Sequence, residues 1–86
     1  EDPVFEKETF PSLALGEWLR ERDYGQVELC GLVSHICVLS NAVMVKAALP
    51  NAHITVDARL TASYDPALHQ KALDVLEGIQ IAVLHR

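Results

Sequence analysis

The succession of apolar runs and helix-length segments predicts an α/β fold: a parallel sheet with helices on both faces. Three observations predict it. Runs at 26–33, 53–58 and 79–84 are apolar and bounded by turn-forming residues, as strands are. The segments between them are too long for hairpins and long enough for right-handed crossovers. The segment 36–49 (ICVLSNAVMVKAAL) is apolar nearly all round, which marks a buried helix.

The elements follow in order. Pro3 to Lys7 reads as a short extended stretch. Pro11-Ser12 opens an amphipathic helix, with Leu13, Leu15, Trp18 and Leu19 on one side and Glu17, Arg20, Glu21 and Arg22 towards water. Gly25 is a suitable stop. Gln26 to Val33 (QVELCGLV) is a strand, Ile36 to Leu49 the buried helix, and Pro50-Asn51 its end. His53 to Ala58 is a second strand. Asp65-Pro66 signals a helix start, an acid at the N-cap and proline in the first turn. That helix runs to Glu77, Gly78 stops it, and Ile79 to Leu84 is the last strand. Three or four strands make a small sheet, and the apolar helix needs cover on more than one side. Both point to a domain with missing neighbours.

Composition narrows the function. Eighty-six residues suffice for one small domain, 1–86, with half of them apolar and 22% charged. A net charge of −5, with only seven Lys+Arg, argues against nucleic acid or an anionic membrane as partner. No apolar run reaches the roughly 18 residues of a membrane span, and no segment resembles a signal peptide. Cys30 falls in a strand and Cys37 on a helix, so they should not pair. Free thiols and no leader fit a reducing, cytoplasmic setting.

The chemistry-bearing stretch is Cys30-Gly31-Leu32-Val33-Ser34-His35-Ile36-Cys37-Val38. A strand ends near Leu32, the chain turns through Val33-Ser34-His35, and Cys37 enters the first turn of the buried helix. Parallel sheets bind ligands at the carboxyl ends of their strands, where this turn lies. A thiol there feels the positive end of the helix dipole, and the free N–H groups could receive an oxyanion. From residue types alone, a candidate nucleophile and an inert buried thiol both remain open.

Gly31 to Val38 resembles the signature of the isochorismatase-like hydrolases: a Gly, two apolar residues, Ser or Thr, two variable positions, then Cys-Val opening a helix. Val4 to Ser12 resembles the family's lysine segment, a strand ending in Lys followed by an aromatic and small residues. Val56-Asp57-Ala58 and the segment Asp65 to Ala72 resemble its last two strand–helix units. The chain is thereby similar to the C-terminal half of such a domain, and the resemblance implies the family's three-layer Rossmann-like fold, incomplete without its N-terminal strands.

The resemblance implies a cysteine-dependent hydrolase that cleaves a small amide such as nicotinamide. Cys37 would attack the carbonyl and form a thioester, and Lys7 would be the cationic member of an Asp-Lys-Cys triad. The family's cis peptide would fall at Val33-Ser34, with the amides of Val33 and Cys37 receiving the oxyanion. Phe10 would stack on a flat substrate or serve as a core or lid aromatic; Asn41 would line the pocket or link polar groups inside the helix. The triad aspartate and the family's metal ligands belong to the N-terminal half, so the resemblance implies no cofactor held by this chain, although the parent enzyme would bind a divalent metal there. The expected partners are a small amide and either further copies in a homo-oligomer or the complementary N-terminal half. A non-catalytic assembly role and vinyl-ether hydrolysis of isochorismate are the alternatives, and a cysteine at position 37 counts against the latter. His35 stands where many relatives have Asp. Cys30 reads as a core residue, His69 as a helix or interface residue, Trp18 as a core or contact residue, and Asp57 as a structural acid bonding loop backbone.

Overall fold

The computed structural model describes residues 11–86. The expected strand at Pro3 to Lys7, and with it Lys7 and Phe10, lies outside the described residues. The described residues form three strands, β1 (Gln26–Leu32), β2 (His53–Ala62) and β3 (Ala82–Leu84), in the order β1-β2-β3 with both pairings parallel. Helix α1 (Leu13–Arg22) precedes β1 and α3 (Pro66–Gly78) joins β2 to β3. Between β1 and β2 a single π-helical turn, Ser34–Val38, runs directly into α2 (Leu39–Ala48). This is the parallel α/β class that the sequence predicts.

Local chemistry sets the helix ends. Ser12 is extended, and its Oγ accepts the Leu15 N–H at 3.1 Å, capping α1. The helix ends before Gly25. Asp23 takes the left-handed conformation (φ 53°), which a short polar side chain tolerates, and donates its N–H to the Leu19 carbonyl at 2.9 Å. Asp65 caps α3 as expected, its carboxylate accepting from the Ala67 and Leu68 N–H groups at 3.0 and 3.1 Å. At the far end the expected strand over 79–84 shortens to Ala82–Leu84. The N–H groups of Ile79, Gln80 and Ile81 satisfy the last carbonyls of α3 instead, at 3.0 Å each.

One core serves all three helices. Leu19 of α1, Ala42 and Val45 of α2, and Leu73 and Leu76 of α3 cluster with Ile54 and Val56 of β2, all of them buried. Val27, Leu29 and Val83 pack against that cluster, so one face of every strand points into it. A second helical layer has no counterpart among the described residues. Alternation along β1 puts Cys30 on the other face, beside Glu28, and it is exposed. The expectation of a core thiol there fails because Val27 and Leu29 already take the inward positions. Leu13 is likewise 75% exposed, since α1 turns Leu15, Trp18 and Leu19 inward instead. Arg86, read as a polar chain end, pairs with Asp74 and Glu77 of α3.

Strand β2 runs four residues beyond its expected end at Ala58. Leu29 pairs with Val56, but Gly31 next pairs with Thr61, so β2 bulges between them. Asp57 holds the bulge: its carboxylate accepts the Arg59 N–H at 3.0 Å and the Arg59 guanidinium at 3.1 and 2.8 Å. These bonds to Arg59, side chain first and then backbone, pull the Asp57 carboxyl from 3.8 down to about 2. Because the folded value lies below the unfolded one, the contribution is complete above pH ~4 and fades as pH falls towards 2. Urea midpoints of the purified protein and its Asp57→Asn variant should therefore differ by a constant amount above about pH 5, draw together between about pH 4 and pH 2, and meet only below that. A gap that persists unchanged at the acid end would show that the ionised Asp57–Arg59 contact does not support the bulge.

Candidate active site

The strand-to-helix turn begins at Gly31, whose φ of 108° is a conformation only glycine takes readily. The next peptide, Leu32–Val33, is cis. The bond was expected one residue later, at Val33-Ser34. The difference follows from where the helix starts: the Val33 carbonyl accepts the N–H groups of Ile36 and Val38, both at 3.1 Å, so the bond after Val33 already belongs to the helical turn. Cys37 lies in that turn, as the sequence predicts, and is a half-buried free thiol.

Cys37 lines a cleft of about 270 Å³ at the carboxyl end of β1, together with Leu15, Gly31, Leu32, Val38 and Asn41. Its backbone is held from behind. Asn41 Nδ2 donates to the Cys37 carbonyl at 2.8 Å, while Asn41 Oδ1 accepts the Ser12 N–H at 3.2 Å. Asn41 thus lines the cleft and links Ser12 to the Cys37 backbone. Ser40 Oγ donates to the neighbouring Ile36 carbonyl at 2.6 Å. Through Asn41 the cysteine turn is fastened to the residue that caps α1, five positions after Lys7.

On the other side of the turn stand contacts that the sequence did not disclose. Ser34 is completely buried, and its Oγ shares a 2.7 Å hydrogen bond with Nδ1 of His69. His35 Nδ1 shares a 2.9 Å hydrogen bond with Ser63 Oγ, which also accepts the Asp65 N–H at 3.0 Å. The Tyr64 ring meets the His35 ring edge-on, with centroids 5.3 Å apart. A signal for His69 existed: it falls in the first turn after Asp65-Pro66, and helix starts lie at the same edge of a parallel sheet as the Cys37 turn. Thr61, opposite Gly31 in the register, is buried with no hydrogen-bond partner for its Oγ1 among the described residues.

Among the described residues no group of three or more His, Cys, Asp or Glu could hold a metal ion. No helix there is long and apolar enough to cross a membrane.

A parallel sheet whose strand ends in a Gly-Leu-cis-Val-Ser turn and delivers a thiol into a helix defines an α/β fold with a cysteine at the carboxyl edge of its sheet. The sequence profile of the isochorismatase domain matches residues 1–85, and the chain belongs to that family of hydrolases. It is similar to the nicotinamidase/pyrazinamidase from Bacillus subtilis, with 30% identity, a TM-score of 0.78, and coverage of 92% of this chain but 44% of that one. The nicotinamidase from Staphylococcus aureus is 31% identical over 90% of this chain and 51% of its own, with a TM-score of 0.77. A pyrazinamidase from Pyrococcus horikoshii, solved in complex with zinc, shares the fold at 18% identity and a TM-score of 0.79, over 94% and 46% of the two chains. The chain therefore spans about half the length of the structures it matches. No curated protein matches.

The Asn41 link has a measurable cost. Asn41→Ala leaves the Ser12 N–H without its acceptor in a buried position, which should lower stability by about 1–3 kcal/mol in urea titration. An unchanged midpoint would mean that Ser12 and Cys37 are held by other contacts.

Proposed function

We propose that this chain contributes the nucleophile to a cysteine amidohydrolase that releases ammonia from a small amide of the nicotinamide type. The observation that carries the reading is the placement of Cys37: a half-buried thiol in the first helical turn, at the carboxyl end of a parallel strand, lining a cleft. Membership of the isochorismatase family and the 30% likeness to nicotinamidases support the amide substrate.

In the proposed sequence the thiol gives its proton to a general base and the thiolate sulfur attacks the amide carbon. The carbonyl π electrons move onto oxygen, where the N–H groups of Val33 and Cys37 receive the charge. Collapse of that intermediate breaks the C–N bond, and the base returns its proton to the leaving nitrogen, which departs as ammonia. Water then cleaves the thioester, giving the carboxylic acid and the free thiol. Lys7 is assigned the cationic role that favours the thiolate. The base is assigned to an aspartate of the complementary half, contributed by the rest of the domain or by association with it. A divalent metal, if the complete enzyme uses one, is assigned to that half as well, and no step here depends on it. Assembly as a homo-oligomer or with the complementary half, and a cytoplasmic setting, complete the proposal.

Cys37→Ala should reduce ammonia release from nicotinamide by at least about 10³-fold in the assembled enzyme. Iodoacetamide near neutral pH should alkylate Cys37 well before Cys30, although Cys30 is the more exposed thiol. Labelling in order of exposure would remove the activated-thiol assignment.

A further inference from the structure

The proposed chemistry leaves the Ser34–His69 pair without a task. Ser34 stands between Val33 and the turn that carries Cys37, and its side chain is sealed from water. Among the described residues its hydroxyl meets the side chain of His69, which reaches it from α3, 35 residues away in sequence. Neighbouring contacts do different work. Asn41 and Ser40 hold the carbonyls of Cys37 and Ile36 from within the same helix, and Ser63 holds His35. His69 is the hold on the other end of the turn, next to the Val33 amide.

A buried hydroxyl bonded to an imidazole at this distance is costly to leave unpaired, so the bond restricts where the backbone at Ser34 can sit. That backbone separates the two N–H groups assigned to the oxyanion. Their value depends on aim, since donors must meet the place where charge develops. We propose that His69 is a positioning residue of the amidohydrolase: through Ser34 it sets the spacing of the Val33 and Cys37 amides. The inference rests on the reading of Cys37 as nucleophile.

The test separates the oxyanion step from the thiol itself. Alkylation by iodoacetamide develops no oxyanion, whereas amide hydrolysis does. His69→Ala should lower kcat for nicotinamide roughly 10–100-fold with KM within about threefold, while Cys37 alkylates within about twofold of the wild-type rate. His69→Asn, whose amide can donate or accept near the Nδ1 position, should recover kcat to within about threefold of wild type. Ser34→Ala should reproduce the His69→Ala loss, and the double variant should lose little more than either single one. A kcat for His69→Ala within twofold of wild type overturns the proposal. So does a parallel fall of kcat and alkylation rate in every variant, which marks general loss of structure. If His69→Ala does not fold, Ser34→Ala and His69→Asn carry the same comparison. Retained activity in Cys37→Ala removes the nucleophile reading and this inference with it; an inactive Cys37→Ala beside an unaffected His69→Ala removes this inference alone.

Discussion

The Val33 carbonyl accepts two N–H groups, those of Ile36 and Val38, and this shared acceptor converts a strand into a helix without an intervening loop. The conversion follows Gly31, whose φ is positive, and a π-helical turn leads into α2. Cys37 owes its position to that turn. A longer connection would place the thiol elsewhere on α2, away from the strand end. The contacts around it, from Asn41 behind and His69 in front, act on a backbone that this one acceptor has already shaped.

Energetically the chain is divided between an apolar side and a polar edge. Ile54, Val56, Val45 and Leu76 sit in a cluster from which water is excluded, and that burial holds three helices on one sheet face. The carboxyl end of the sheet is built differently. There Asp57, Ser63, Asp65, Ser34 and Asn41 satisfy backbone and side-chain groups one by one. Packing makes the scaffold, and hydrogen bonds aim the residues at its rim.

Much of this was legible in the sequence. The parallel α/β class, the buried helix, the Asp65-Pro66 start and the placement of Cys37 follow from periodicity and capping chemistry, which act over a few residues. What escaped was non-local. The exposure of Cys30 is not legible in the sequence because the parity of β1 is set by what Val27 and Leu29 pack against. The extension of β2 depends on a bulge that only the register with β1 creates. The stop falls on Asp23, ahead of Gly25, because the Asp23 N–H already reaches the Leu19 carbonyl. His69 reads as a helix or interface residue in the sequence because its partner lies 35 positions away.

The bulge in β2 acts as a spacer between two independent sets of pairings. Below it, Gln26 to Leu29 match His53 to Val56; above it, Gly31 and Leu32 match Thr61 and Ala62. Removing one residue between Asp57 and Leu60 would leave the lower ladder in register while the upper one slipped, turning Thr61 and Ala62 to opposite faces. The cysteine turn hangs from that upper ladder. The length of an unremarkable polar segment, on a different strand from the thiol, thereby determines where the turn is anchored, and changes in loop length there are constrained as tightly as changes in the core.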